Sequence, residues 1–282
     1  MQARQPYAKQ FYPGDCKAQI ERFLKNYTVP KEPAVATGGI VPHAGWFFSG
    51  AVAAKVFKCL SAKANPDTFI LLGAVHTWKP RGNSIYSRGS WSTPLGEVKI
   101  DEDAAIKLLD VLTGEVIEDP DAHEGEHSLE VQLPFIKYLC PDAKIVPIAI
   151  PPDEDAYLTG KKIGEAVSAM GKKIVVVGTT DLTHYGDAYG FTPFGYGEKA
   201  KKQMEESDTR MIKLALTMKA ESINAEAQKH HNACGSGALA ATVAAAKAMG
   251  AEKGYLLQYT TSYDVMPEGV FAMAVGYAGI LF

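Results

Sequence analysis

The sequence predicts an α/β fold: one domain over residues 1–282, with a central mixed, mostly parallel sheet flanked by helices. Three observations lead there. Three short β-rich runs, Ala36 to Val41, Thr68 to Leu72 and Lys173 to Val177, each end in Gly, Pro or a polar cluster, as parallel strands buried on both faces do. Stretches with helical spacing lie between them, and such alternation builds a sheet with helices on both sides. No internal repeat or low-complexity linker divides the 282 residues, although length alone admits about two domains.

The elements follow in order. The first run leads to a helix over Gly50 to Leu60. After the second comes an irregular excursion, Thr77 to Gly96, where Pro80, Gly82, Gly89, Pro94 and Gly96 leave room only for short strands. A helix is expected over Asp103 to Leu112 and another over Leu129 to Cys140. In the latter, Leu129, Leu133, Ile136 and Cys140 fall on one face, with Pro134 in its first turn or at a kink. Lys144 to Ile150 reads as a strand and Tyr157 to Met170 as a helix. Beyond the third run, Thr183 to Gly197 mixes glycines with Tyr185, Tyr189, Phe191, Phe194 and Tyr196, the composition of a pocket wall or of plain surface packing. Helices over Glu198 to Met218 and Gly237 to Met249, then strands over Tyr255 to Thr260 and Phe271 to Leu281, complete the chain.

Composition narrows the functional classes. Apolar residues make up 46% and charged residues 22%, as in an ordinary globular protein. With 29 basic against 32 acidic residues, nothing in the charge favours nucleic acid or an anionic membrane. The opening MQARQPYAKQFYPGD lacks the apolar core of a signal peptide, and no stretch has the length of a membrane span. The expectation is a cytoplasmic protein without membrane or nucleic-acid partners. Cys16, Cys59, Cys140 and Cys234 are too few and too scattered for a disulfide scaffold or a zinc knuckle.

In α/β sheets, ligands bind beyond the carboxyl ends of the strands. The three runs exit into Pro42-His43-Ala44-Gly45-Trp46, Gly73-Ala74-Val75-His76 and Gly178-Thr179-Thr180-Asp181-Leu182-Thr183-His184. Each histidine alone reads as a structural residue. Three on parallel neighbours converge on one rim, and neutral imidazole is the commonest metal donor. Asp181 precedes His184 by three residues, a spacing that lets the carboxylate accept an imidazole N–H or cap a turn. Cys234 lies just before the Ala-rich helix, where the dipole favours a thiolate able to bind metal or attack a substrate. A buried small thiol is the alternative.

Other motifs carry less. Gly235 to Ala240 matches GxGxxA, but a helix rather than a strand precedes it. His123 and His127 form an HxxxH with intervening acids, yet Gly125 and a helix start near Ser128 keep them off one helical face, against a zincin. His127 reads as a pocket-lining hydrogen-bonding group or as part of a helix cap. Cys16, Cys59 and Cys140 read as structural; His123, His230 and His231 stay unassigned.

Five motifs, Val41-Pro42-His43-Ala44-Gly45-Trp46, Leu72-Gly73 with His76, Glu126-His127-Ser128-Leu129-Glu130 leading to Leu133-Pro134-Phe135, Thr180-Asp181 with His184-Tyr185-Gly186, and Asn232 with Cys234-Gly235, occur in the order and spacing of the Memo family. Its prokaryotic members are called AmmeMemoRadiSam system protein B. The resemblance implies a fold shared with class III extradiol dioxygenases, which hold nonhaem Fe(II) with two His and one Glu. By motif it implies His43 and His76 as imidazole ligands, Cys234 in place of the carboxylate, His184 as acid/base histidine and Asp181 beside it. A Cys ligand softens the site toward Cu(I), Zn or thiolate-bound iron, which departs from the dioxygenase pattern. So does His76-Thr77 where relatives carry two adjacent histidines, and Phe11-Tyr12-Pro13 only partly echoes the family's aromatic N-terminal motif.

The leading expectation is therefore a metal-binding protein with a His43/His76/Cys234 site, iron first and copper or zinc as alternatives. His184, Asp181 and His127 would act on a small substrate or on dioxygen, as in a metal-dependent oxidoreductase. The alternative is a noncatalytic module that captures a peptide, a radical-SAM partner protein or a signalling partner, to which the resemblance also points. A zinc hydrolase with His184 as base is third.

Overall fold

The computed structural model describes residues 3–77 and 82–282. Residues 78–81, part of the expected excursion, lie outside the described residues. Eleven strands are described: β1 (Gly38–Val41), β2 (Thr68–Gly73), β3 (Asn83–Ile85), β4 (Ser90–Thr93), β5 (Gly96–Lys99), β6 (Val116–Glu118), β7 (Lys144–Ala149), β8 (Ile174–Thr179), β9 (His184–Tyr185), β10 (Tyr255–Thr261) and β11 (Ala274–Leu281). The helices are α1 (Cys16–Leu24), α2 (Trp46–Ala64), α3 (Glu102–Val111), α4 (Leu133–Leu139), α5 (Ala156–Ser168), α6 (Glu198–Leu216), α7 (Ile223–His230), α8 (Ser236–Ala248) and α9 (Ser262–Val265).

The sheet runs β10-β11-β1-β8-β2-β7-β3-β6, with β9 added on β11. Its centre, β1-β8-β2-β7, is parallel, and antiparallel pairs flank it at β11 and β3. β4 and β5 form a separate hairpin. The three runs read from sequence are thus neighbours, with Ile40 and Leu72 both in register with Gly178. Every residue of β1, β2 and β8 is buried, which explains why their apolar runs are continuous rather than alternating. Layers cover both faces. On β1, Gly39 meets Val56 of α2, while the next residue, Ile40, packs in one cluster with Leu239 and Ala240 of α8.

The Ala-rich composition of α8 has a packing cause. A Cβ on Gly160 of α5 would lie 2.1 Å from the Ala241 carbonyl oxygen, and one on Gly164 would lie 2.4 Å from that of Ala245. The two helices touch backbone to backbone through these small residues. That close approach lets α8 lie over β8, where Gly178 leaves room for the Thr242 hydroxyl.

Several expected elements differ in detail. The helix read over Leu129 to Cys140 opens as a 3-10 turn, Glu130–Gln132, before α4, because Pro134 lacks the N–H that an interior position requires. The last strand starts at Ala274 rather than Phe271. Its preceding residue, Met273, is exposed at the rim of a cavity.

The N-terminal segment is tied down by one acid. Glu130, 1% exposed, accepts hydrogen bonds from the Arg4 guanidinium at 2.8 Å, the Tyr7 and Ala8 amides at 2.9 and 2.8 Å, and the Tyr12 phenol at 2.9 Å. Arg4 also donates to the carbonyls of His123 and Glu126 and lies over the Trp91 ring. Among the described residues no helix is long and apolar enough to cross a membrane.

Candidate metal site

β1, β2 and β8 end at one edge of the sheet, and their exits carry the chemistry. His43 follows β1, His76 follows β2, and the chain leaving β8 delivers Asp181 and then His184 at the start of β9. Cys234 arrives from the other direction, two residues before α8, and its N–H donates to the Asp181 carbonyl at 3.2 Å. His43 Nε2 lies 3.2 Å from the Cys234 sulfur. The His43 and His76 rings are 4.9 Å apart and edge-on, and the donor atoms of His43, His76 and Cys234 all fall within 4.8 Å of one another. Sulfur and imidazole nitrogen bound to one tetrahedral metal, at about 2.3 and about 2.0 Å, would be about 3.5 Å apart. The trio fits a single ion.

Electrostatics also suit such an ion. Burial, with the neighbouring His76 and His127, holds the His43 pKa well below the usual imidazole value, leaving the neutral ring that a metal needs. Burial opposes protonation of His76 as well, but the hydrogen bond and charge of Glu126 outweigh it and raise its pKa. The Cys234 thiol is pushed up by burial and then by Asp181. This departs from the sequence expectation of a dipole-stabilised thiolate. Helix α8 begins only at Ser236, so the half-buried thiol stands outside its first turn, and the Asp181 N–H at 3.3 Å offsets only part of the cost of its burial. A cation is the partner that would make it a thiolate.

Glu126 is the residue that the sequence reading left out of the site. Its Oε1 accepts the His127 and Ser128 amides at 2.8 Å and lies 3.1 Å from His76 Nδ1, and its Oε2 accepts the His76 amide at 2.6 Å. His76 therefore donates through Nδ1 and presents Nε2, the tautomer a carboxylate behind a metal-binding histidine enforces. His76, Glu126 and His127 also form a group close enough for a metal, but these N–H donors already occupy the carboxylate. The acid orients; it is not free to ligate. The signal was present in the sequence, a Glu directly before His127 and Ser128, whose amides fold back on it.

Asp181 does not pair with His184 as its spacing suggests. Its Oδ1 accepts the His43 amide at 2.8 Å and its Oδ2 lies 3.9 Å from His43 Nε2. Burial raises its pKa to about 7. The strand pairing of His184 with Val275 turns the imidazole away, and His184 Nδ1 donates instead to the Leu182 carbonyl at 3.1 Å. Burial, partly offset by that bond, lowers the His184 pKa and keeps it neutral enough to act as a base.

A cavity of about 330 Å³ opens over these groups, with His43, His76, His127, Asp181, His184 and Tyr277 among its walls. His127 lines it beneath the Phe11 ring, 4.6 Å away, and does not cap a helix. A second groove, about 430 Å³, reaches Cys234 from the other side of His184 and Tyr189. Of the unassigned histidines, His123 is a core residue bonded to the Ser84 carbonyl between Tyr86 and Trp91. His230 faces Glu226, and His231, in the left-handed region at φ 51°, lines the second groove. Cys16 and Cys59 are buried and Cys140 is half-buried, and all three are absent from the lining of both cavities.

Comparison with known proteins gives the family. The family model described as Memo-like protein matches residues 4–281. The chain belongs to the Memo-like family. Among its members, a MEMO1 family protein of Thermococcus onnurineus is 36% identical over 285 residues, covering 98% of this chain and 97% of that protein. One from Pyrococcus furiosus is 37% identical over 284 residues, covering 97% and 96%. The crystal structure of protein JW3007 from Escherichia coli K12 superposes with a TM-score of 0.55 over 87% of this chain and 98% of that one. At 13% identity this last likeness speaks for the mixed α/β fold alone.

With Glu126 replaced by Gln, the oxygen–Nδ1 bond and the three amide bonds cannot all persist. The expected outcome is a 10- to 100-fold loss of metal affinity, about what removal of such a partner brings, in a protein that stays folded. Isothermal titration with zinc checks it.

Proposed function

We propose that this Memo-like protein binds a divalent or redox metal through His43, His76 and Cys234, iron foremost with copper or zinc as alternatives, and that with iron or copper it acts as an oxidoreductase on a small ligand in the adjoining cavity. The observation that carries the reading is the convergence of two imidazoles and a thiol, from three separate elements, within 4.8 Å, the imidazoles lining one cavity and the thiol the groove beside it. A metal held there would polarise a ligand oxygen or pass electrons to it.

The chain's own residues supply the rest. His184, neutral and fixed through Nδ1, presents Nε2 to take or return a proton at the ligand. Asp181, with a pKa near neutrality at about 7, holds the His43 backbone and exchanges a proton with the cavity. His127, Phe11, Tyr277 and Val275 line the cavity with them. Such a wall of rings and aliphatic groups excludes bulk water from the ligand.

The test is elemental analysis of protein purified anaerobically, followed by metal titration across pH. One specific metal at a one-to-one ratio supports the reading; none, in wild-type protein supplied with iron, copper and zinc in turn, sinks it. The pH dependence has a sign. The Cys234 thiol, raised above its usual value, must lose its proton to bind, so affinity should rise about tenfold per pH unit through neutrality. Toward acid the slope steepens, because His76, also raised, must then lose a proton too.

A second reading has its own observation. Tyr189 and Met273, which line the cavity, are 46% and 55% exposed, and such apolar surface suits a peptide or a partner protein such as a radical-SAM enzyme. In that case a peptide or partner would bind with His43 intact while the metal-loaded protein showed no redox turnover.

A further inference from the structure

Asp208 is a buried carboxylate that the proposed chemistry does not touch. It lies in mid-α6, on the face that also buries Met204, Met211 and Ala215, and is 0% exposed. One oxygen accepts the Thr183 amide at 3.0 Å and the Thr183 hydroxyl at 2.5 Å. The other accepts the Tyr259 phenol at 2.8 Å. All three donors are neutral, and burial lifts the pKa of the acid to about 7. An acid in such a place is costly unless its geometry is used.

The surrounding backbone is built to admit it. A Cβ on Gly276 of β11 would stand 2.0 Å from Asp208 Oδ2, so any side chain at that register position would displace the carboxylate. Gly276 also grips the same turn from the other side: its N–H donates to the Thr183 carbonyl at 3.0 Å, and its carbonyl accepts the Leu182 N–H at 2.8 Å. Leu182 and Thr183 are thereby clamped between α6 and β11. The residues on either side of this pair are Asp181, bonded to the His43 amide and to the Cys234 sulfur and N–H, and His184, whose ring is fixed on the Leu182 carbonyl.

We propose that Asp208, with Tyr259 and Gly276, is a positioning residue of the site, setting the pose of the Leu182–Thr183 pair and through it the placement of His184 and Asp181. It deepens the reading above, on which its effect on metal rests; the placement of His184 does not depend on any metal.

The experiment records the imidazole ¹⁵N signals of His184 in metal-free protein and then titrates zinc, for the wild type, Asp208→Leu and Asp208→Asn. In the wild type, donation to the Leu182 carbonyl fixes the Nδ1–H tautomer. Asp208→Leu is expected to mix the tautomers and to lower zinc affinity at least tenfold. Asp208→Asn, whose amide oxygen serves both Thr183 donors while its NH₂ donates to the Tyr259 oxygen, should restore both readouts to near wild type. Should Asp208→Leu not fold, Thr183→Val loses only the hydroxyl bond and should shift the His184 signals in the same direction by less. Unchanged His184 signals in a folded Asp208→Leu or Thr183→Val protein overturn the proposal, even if melting temperature falls, because Asp208 would then serve stability alone. Shifted His184 signals with no zinc bound by any of the proteins uphold the positioning role and count against the metal reading instead.

Discussion

Cys234→Ala should bring metal binding below stoichiometric detection while leaving the fold intact. The sulfur is one of the three proposed donors, with His43 Nε2 at 3.2 Å. A structural zinc site with four ligands gains roughly 10–16 kcal/mol, or about 3 kcal/mol per ligand, so deleting one donor should weaken binding at least a hundredfold. The thiol supports little else. Its hydrogen bonds run to the Asp181 N–H and, at 4.0 Å, to the Thr180 hydroxyl, and alanine leaves the Cys234 amide on the Asp181 carbonyl. His43→Ala should match it in metal loss. Elemental analysis with circular dichroism on the two variants decides the matter: full metal in both would end the assignment of these ligands.

The second large effect falls on stability. Glu130→Ala removes the acceptor of four hydrogen bonds, one from a guanidinium that is itself nearly buried. Breaking a buried pair by deleting one partner costs about 3–5 kcal/mol. At about 2–4 °C per kcal/mol for a chain of this size, the melting temperature should fall by roughly 6–20 °C. The loss should be local first, with the Tyr7 and Ala8 amides exchanging fastest in hydrogen-exchange measurements. A fall of less than about 2 °C would show that the N-terminal segment is held by its apolar contacts instead.

The parts of this molecule that can be read from sequence are those with one dominant cause. β1, β2, β7 and β8 are buried on both faces, so unbroken apolar runs mark them, and their polar exits mark His43, His76 and the Asp181 to His184 segment. α1 and α7 escape because each buries only two or three residues, Cys16 and Ile20 in one, Ile223, Asn224 and Ala227 in the other. β3 and β6, at three residues each, are too short to show a period; β3 pairs with the edge of β7 and β6 with that of β3. Site residues that act through distant partners are the least legible. Glu126 orients His76 from fifty positions away, and the partner of Asp181 proved to be His43 rather than the nearby His184 because strand pairing with β11 outweighs local spacing. Asp208 left a faint trace, an acid on the same helical stripe as Met204, Met211 and Ala215, where a solvated residue would not fall.

The three candidate donors lie on stretches of chain far apart in sequence, on elements that meet only when β1, β2 and β8 have paired and α8 has docked across them. An unfolded or half-made chain therefore holds no chelating cluster, and an ion that binds selects the completed fold. Occupancy then acts as a thermodynamic brace on the whole molecule, worth about 2.7 kcal/mol when free ion stands at about a hundred times its dissociation constant. Protein loaded with an ion at this site would therefore resist proteolysis longer than the ion-free protein.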